Sequence, residues 1–210
     1  MENDVGAMAE YLWSSSQKHR LFKNMELSSV LNAVIRDDVA EEIEAAVMVF
    51  RSINSRRIRR IGNVANINIQ SYPPKGETWR GGGFRRQHRS FFEHMVGKKY
   101  RVPAFLSTSD NREIAVAFAR RAAGHHPCVM WRVTFDPRGK SCAEYRVKHM
   151  SFVSKTLIAG EREYLFVPYS VFTLISVKWS DTLIVPHEFT IRAARDNKEE
   201  DECLPLAPWY

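Results

Sequence analysis

Cysteine is scarce in this chain. Its 210 residues include three, Cys128, Cys142 and Cys203, far apart and odd in number, which argues against a disulfide-built scaffold and for a reducing compartment. Long apolar runs are missing too: no segment approaches the ~18 apolar residues that a bilayer-spanning helix needs, so no membrane span is expected. The N-terminal stretch MENDVGAMAEYLW carries two acids near its start and lacks a basic-then-apolar run, so it does not read as a signal peptide. The expectation is a cytoplasmic chain, or one delivered into a target cell without a standard signal peptide. There is no internal repeat, no low-complexity stretch and no P-loop pattern. His125, His126 and Cys128 come nearest to a metal cluster, but no second group at zinc-site spacing completes them. They read as a polar turn around Pro127, and no metal is expected.

What is present is ordinary in amount and uneven in placement. Hydrophobic residues make up 44% and charged residues 26%, enough apolar content for one domain with a core, or one domain with a helical appendage. The formal charge of +7 favours an anionic partner: a phosphate-bearing cofactor, an acidic protein surface or nucleic acid. Basic residues clump at Arg56 to Arg60, which reads as a solvated face, and again at Phe84 to Ser90.

Apolar spacing divides the chain. Leu27, Val30, Leu31 and Val34 recur at helical intervals, as do Val39, Ile43, Val47 and Phe50, with Asp38 and Glu41 placed as a cap and its reciprocal partner. Residues 1–62 are therefore expected to be a helical N-terminal segment. Residues 63–195 read as a strand-rich body, entered through Pro73, Pro74 and Gly76. One helix follows Asp110, with Ile114, Ala117, Phe118 and Ala122 on one face. Val129, Trp131, Val133 and Phe135 alternate as in a strand with one buried face. Tyr164 to Val167, Ser170 to Trp179 and His187 to Ala193 read as further strands. Helices first and strands later predict an α+β fold. Residues 196–210 combine an acidic run with the apolar LPLAPWY, a solvated linker followed by a docked segment, with an autoinhibitory or partner-binding tail as the alternative.

Three clusters could carry chemistry. Glu161 and Glu163 stand two apart at the mouth of an apolar strand, so their side chains share a side while Arg162 points away. In FLSTS, the hydroxyls of Ser107, Thr108 and Ser109 directly precede a helix. Ser109 or Asp110 suffices to cap it, leaving Ser107 and Thr108, one of which can face a cleft and bond a carboxylate. In TWRGGG, Arg80 precedes three glycines, pairing a guanidinium fork suited to phosphate oxygens with backbone that a ligand can approach. Each cluster alone has a plain structural reading, as strand-end acids, a helix cap and a surface turn.

Together and in this order, Arg80, Ser107-Thr108-Ser109 and Glu161-x-Glu163 resemble the R-S-E class of mono-ADP-ribosyltransferases. GKKYRVPAFLSTSDNREIAVAFA resembles that family's hydroxyl strand and following helix, and EREYLFVPYSVFTLISVKW its E-x-E strand and continuation. The likeness runs over roughly residues 76–193. It implies an ADP-ribosyltransferase-like core of two packed mixed or antiparallel sheets with flanking helices, preceded by a helical segment. It also implies NAD as the substrate consumed and no metal. By this resemblance Arg80 holds the NAD phosphates and the Gly81 backbone lies near the nicotinamide amide. Ser107 orients the catalytic glutamate, and Thr108 and Ser109 support the strand and helix start. Phe118 corresponds to an aromatic that packs on nicotinamide and Arg121 to a phosphate contact; a core position on an amphipathic helix is the equal alternative for Phe118. Trp79 stands where family members often carry Tyr or His, and the loop PRGKSCAEYRVKHM is longer than the pattern requires.

The chemistry suits these residue types. Cleaving nicotinamide from ribose develops an oxocarbenium-like centre, which a fixed carboxylate, here Glu163, stabilises in the transition state. Glu161 faces the incoming nucleophile and would orient a cationic arginine and take its proton. The expected function is thus transfer of ADP-ribose from NAD to a protein acceptor, most simply arginine, with Ser151 to Gly160 as the target-recognition loop. The alternatives are an NAD glycohydrolase; transfer to another acceptor, such as a ubiquitin threonine or a nucleic-acid base; a silent module that binds NAD or protein; and a basic nucleic-acid-binding domain without catalysis.

Overall fold

Apolar residues recurring every three to four positions form helix α1, Leu27–Arg36, which buries Leu31 and Val34. The computed structural model describes residues 27–36, 42–44, 46–48, 72–122, 126–153, 162–182 and 184–208. The chain divides into two units, Met1–Ile67 with Val153–Gly160, and Asn68–Phe152 with Glu161–Tyr210. In the first unit residues 42–44 and 46–48 are also helical and Ala46 is buried. The expected cap at Asp38 and Glu41 lies outside the described residues, as does the clump Arg56 to Arg60.

The second unit is built on eight strands: β1 Glu77–Gly83, β2 Lys99–Val102, β3 Leu106–Ser109, β4 Cys128–Thr134, β5 Met150–Val153, β6 Glu163–Phe166, β7 Ser170–Lys178 and β8 His187–Ala193. Helix α2, Arg89–Met95, precedes β2, and helix α3, Arg112–Ala122, follows β3. The strands lie in the order β2-β7-β8-β4-β1-β3-β6-β5. Among the described pairings β4 and β8 run parallel and the others antiparallel. The α+β architecture is as expected, but in place of two separate sheets the strands form one mixed eight-stranded sheet. Strand β1 is registered along its whole length with β4 but meets β3 at the single pair Trp79↔Ser109. That one pair joins the two halves, which share a core: Leu106 and Phe166 from one half pack with Val129, Trp131, Phe172 and Phe189 from the other. The Phe166 ring lies 5.1 Å from Phe172 and stacks on Phe135 at 6.1 Å, aromatic contacts that bury large area in defined geometry.

Two sequence expectations change. Strand β4 buries Val129, Trp131 and Val133 on one face, as its alternation predicts, but Cys128 and Met130 on the other face are also buried, under α3. The face α3 presents is Ala115 and Ala119, not Ile114, Ala117, Phe118 and Ala122. The reason is Gly81, where an added Cβ would sit 1.8 Å from the Ala115 carbonyl oxygen and 2.7 Å from the Ala119 nitrogen. The helix lies almost on the strand backbone, and only small side chains fit between them.

The C-terminal stretch runs beside β2. Arg101 N–H donates to the Pro205 carbonyl at 2.9 Å and Ala207 N–H to the Arg101 carbonyl at 2.8 Å. The Arg101 side chain, 8% exposed, donates to the carbonyls of Tyr169, Glu200 and Asp201 at 3.0, 3.3 and 2.8 Å. The long loop after β4 packs on itself through two 3-10 turns, Pro137–Lys140 and Ala143–Tyr145. No helix among the described residues is long and apolar enough to cross a membrane.

Candidate functional site

Strands β3 and β6 pair in the register Ser107↔Leu165, Thr108↔Tyr164 and Ser109↔Glu163. Because side chains alternate, Ser107, Ser109 and Glu163 share one face, and Thr108 and Tyr164 share the other. Ser107 lies diagonal to Glu163, and its hydroxyl donates to Glu163 Oε1 at 2.6 Å, the length of a charge-assisted O–H···O bond. Glu163 is 5% exposed. A carboxylate taken that far from water needs such a partner, and the bond fixes its rotamer.

Arg80 reaches the same residue from the neighbouring strand, its Nη1 donating to the Ser107 carbonyl at 3.0 Å. Ser107 is thus held twice, by its hydroxyl on Glu163 and by its carbonyl under Arg80. The bridge spans the place where the two halves of the sheet part, for β3 is registered with β1 at Trp79↔Ser109 and at no residue from Arg80 to Gly83. One guanidinium, one hydroxyl and one buried carboxylate therefore meet at the mouth of a strand gap.

The other hydroxyls have different work. Thr108, 3% exposed, donates to the Tyr164 carbonyl at 3.1 Å on the opposite face. Ser109 Oγ accepts from Asn111 N–H at 3.1 Å. The cap of α3 is Asn111, whose Oδ1 accepts from Glu113 N–H at 3.1 Å, in place of the expected Ser109 or Asp110. Asp110 is engaged elsewhere: it pairs with Arg162 Nε at 2.8 Å and accepts from the Tyr164 hydroxyl at 3.4 Å. The residue between the two glutamates is thereby anchored to the end of the hydroxyl strand, one position before Glu163. Bonding to the Tyr164 hydroxyl, with Asp110 adding to it, raises the Arg162 pKa. Linear sequence carries no signal for the Asp110 and Arg162 pair, because the partners are far apart in sequence. Asn111 is readable in hindsight as an Asx cap in STSDN. Glu161 itself lies outside the described residues, as does most of the expected recognition loop from Ser154 to Gly160.

Gly81 sits on β1 with its Cβ direction closed by α3, so its missing side chain is required by helix packing. Phe118 is 36% exposed on the outer face of α3, with the Arg121 guanidinium 4.5 Å above its ring; it is not a core residue. Trp79 is flanked by Arg112 at 5.4 Å and Arg132 at 5.7 Å, cation–π contacts that hold the indole beside the strand gap. Among the described residues no group of three or more His, Cys, Asp or Glu could hold a metal ion.

Solved structures share this arrangement of strands. The ADP-ribosyltransferase HopU1 of Pseudomonas syringae pv. tomato DC3000 superposes with a TM-score of 0.61 at 16% identity, over 90% of this chain and 76% of that one. The chain has the ADP-ribosyltransferase fold. Vis toxin, an ADP-ribosyltransferase from Vibrio splendidus, matches at a TM-score of 0.51 and 18% identity, over 92% of this chain and 86% of its own. Exoenzyme S from Pseudomonas aeruginosa, solved with human 14-3-3 protein beta and carba-NAD, matches at 0.53 and 14%, over 91% and 74%. No protein-family model and no curated protein matches the chain by sequence. In this instance of the fold, the meeting of Arg80, Ser107 and Glu163 falls where the β1 and β3 strands diverge.

Proposed function

We propose that the chain is a mono-ADP-ribosyltransferase that consumes NAD and modifies protein arginine. The observation that carries the reading is the Ser107 hydroxyl donating to the buried Glu163 carboxylate at 2.6 Å, with Arg80 bonded to the same serine. The fold supports it, as does the carba-NAD bound to exoenzyme S.

In this mechanism Arg80 and the backbone of Arg80 to Gly83 receive the pyrophosphate and nicotinamide amide of NAD at the strand gap. The bond between ribose C1′ and the nicotinamide nitrogen breaks, its electron pair leaving with nicotinamide, which becomes neutral. Glu163, held by Ser107, stabilises the cationic ribose that develops. A guanidino nitrogen of the acceptor attacks C1′, and its proton passes to Glu161 and then to water. Glu161, next in sequence to the Arg162 that pairs with Asp110, is suited by charge to orient a cationic acceptor.

The experiment is incubation with labelled NAD, using agmatine and cell lysate as acceptors, beside Glu163→Gln and Glu161→Gln. Label on agmatine and on protein arginine is expected, lost in both variants, with nicotinamide release surviving in Glu161→Gln. Nicotinamide release without agmatine labelling in the unaltered chain would replace the transferase by a glycohydrolase or by transfer to another acceptor. An absence of NAD turnover would overturn the reading.

A further inference from the structure

A second feature lies at the end of the sheet where β1 and β7 finish and β4 and β8 begin. A cavity of about 270 Å³ opens there, lined by Phe84, Arg86, Arg89, Trp179, Thr182 and His187 among others. Its wall carries two arginines and an aromatic surface, with one carboxylate, Asp181, beside them. The Arg89 guanidinium lies 4.6 Å over the Trp179 ring, and its Nε also pairs with Glu93 at 2.7 Å. Arg86 makes no ion pair among the described residues and is exposed, as is Arg85 beside it. His187 Nδ1 accepts from Ser180 N–H at 2.9 Å, so the neutral ring carries its proton on Nε2 and adds a donor. Burial, followed by the charges of Arg89 and Arg86, holds the His187 pKa below its ordinary value, with Asp181 opposing.

Beside this cavity the β7–β8 turn projects apolar side chains into water. Ile184 is 92% exposed and Val185 55%. The turn is ordered from within: Thr182 Oγ1 accepts from Val185 N–H at 3.2 Å, and Thr182 N–H donates to Ser180 Oγ at 3.2 Å. Thr182 lines the cavity, so the same turn both walls it and carries the aliphatic tip. An exposed arginine, Arg86, next to a second on an indole, with a protruding aliphatic tip beside them, is the combination that binds an interface with anionic headgroups outside and acyl chains beneath.

We propose that this end of the second unit docks on an anionic membrane surface, with a lipid phosphate in the Arg86, Arg89 and His187 cavity and Ile184 and Val185 inserted at the headgroup boundary. A soluble phosphate would leave the tip unexplained, and an acidic protein face would leave two adjacent aliphatic side chains on a convex turn without a matching groove.

The test is co-sedimentation of the full chain with phosphatidylcholine vesicles with and without phosphatidylserine. Binding is expected only with phosphatidylserine. Arg86→Gln should weaken it about fivefold, the effect of one basic residue near such a surface, and Ile184→Ser at least as much. Lys140→Gln, the same charge change beyond the far end of β4, should leave it unaltered. All three variants change surface side chains, and unchanged thermal melting would show that they fold. Equal weakening by Arg86→Gln and Lys140→Gln would reduce the effect to net charge and overturn the proposal, as would wild-type binding by Ile184→Ser. If inorganic phosphate shifts the His187 ring resonances while vesicles are ignored, the cavity takes a soluble anion and the membrane assignment fails.

Discussion

The Ser107 hydroxyl bonds Glu163 diagonally across the β3–β6 pair, 2.6 Å from Oγ to Oε1, while Arg80 holds the carbonyl of the same serine at 3.0 Å. If Ser107 acts by fixing the carboxylate, Ser107→Ala should lower kcat for NAD cleavage by about 10²-fold with little change in KM. Glu163→Gln should lower it by about 10³-fold or more. Steady-state nicotinamide release measures both. A Ser107→Ala enzyme with normal kcat would remove the serine from the machinery.

Gly81 and Gly83 are both on β1 but differ in surroundings. A methyl at Gly81 meets the α3 backbone at 1.8 Å, whereas at Gly83 the nearest atom is the His126 Cβ at 3.4 Å. Gly81→Ala should therefore destabilise the fold by about 1–3 kcal/mol through overpacking, and Gly83→Ala should stay within about 0.5 kcal/mol. Urea unfolding of the two variants side by side tests the contrast.

His149 is buried, with Nδ1 on the Ser170 hydroxyl at 2.9 Å and Nε2 on the Ala194 carbonyl at 2.8 Å. Burial pushes its pKa from 6.5 down to about 4; the bond to the Ala194 carbonyl, then Asp196 and Glu200, oppose the shift and Arg101 adds to it. Between those values the unfolded chain binds the proton and the folded chain does not. Stability should thus be complete above about pH 6.5 and fall as pH drops towards 4, by about 3 kcal/mol from this group. In His149→Gln, unfolding free energies at pH 7 and pH 4.5 should differ by correspondingly less. An equal loss in both proteins would assign the effect to the carboxylates.

Arg101 gathers the Tyr169, Glu200 and Asp201 carbonyls, and Arg101→Met leaves all three without this donor. Cleavage by a glutamate-specific protease in the Glu199 to Glu202 run should accelerate at least tenfold, about the value of one or two bonds to a charged group. NAD turnover should be unchanged, because the three carbonyls that Arg101 holds belong to Tyr169, Glu200 and Asp201, none of them in the Arg80, Ser107 and Glu163 cluster. Loss of turnover on release of the tail would show that it supports the site.

Local pattern made part of this molecule legible. Periodicity of two gave β4 nearly to the residue, because alternation in apolar character is a direct consequence of one face lying on a core; the stretches Ser170 to Trp179 and His187 to Ala193 match β7 and β8, although β7 buries Ser170, Val171 and Phe172 in succession. The hydroxyl run and the helix after it were legible for the same reason: their signals lie within a few residues of one another. Strand β2, strand β5 and helix α2 were not, since four to seven residues carry too few periods to declare themselves. The buried face of α3 is not its most apolar one: Ala115 and Ala119 are buried although Ile114 and Phe118 are more apolar, and Gly81 on another strand makes the choice.

The sequence by itself determined which chemical groups exist and in what order: Arg80 before three glycines, then Ser107, then Glu163. The tertiary structure decided which of them touch. The β3–β6 register sets Ser107 diagonal to Glu163 and turns Thr108 to the opposite face, and a one-residue slip would reverse that choice. The single Trp79↔Ser109 pair lets β1 part from β3, so that Arg80 reaches across a gap. Contacts between residues 27 and 56 positions apart depend on strand pairing, and pairing is fixed by the burial of whole sheet faces.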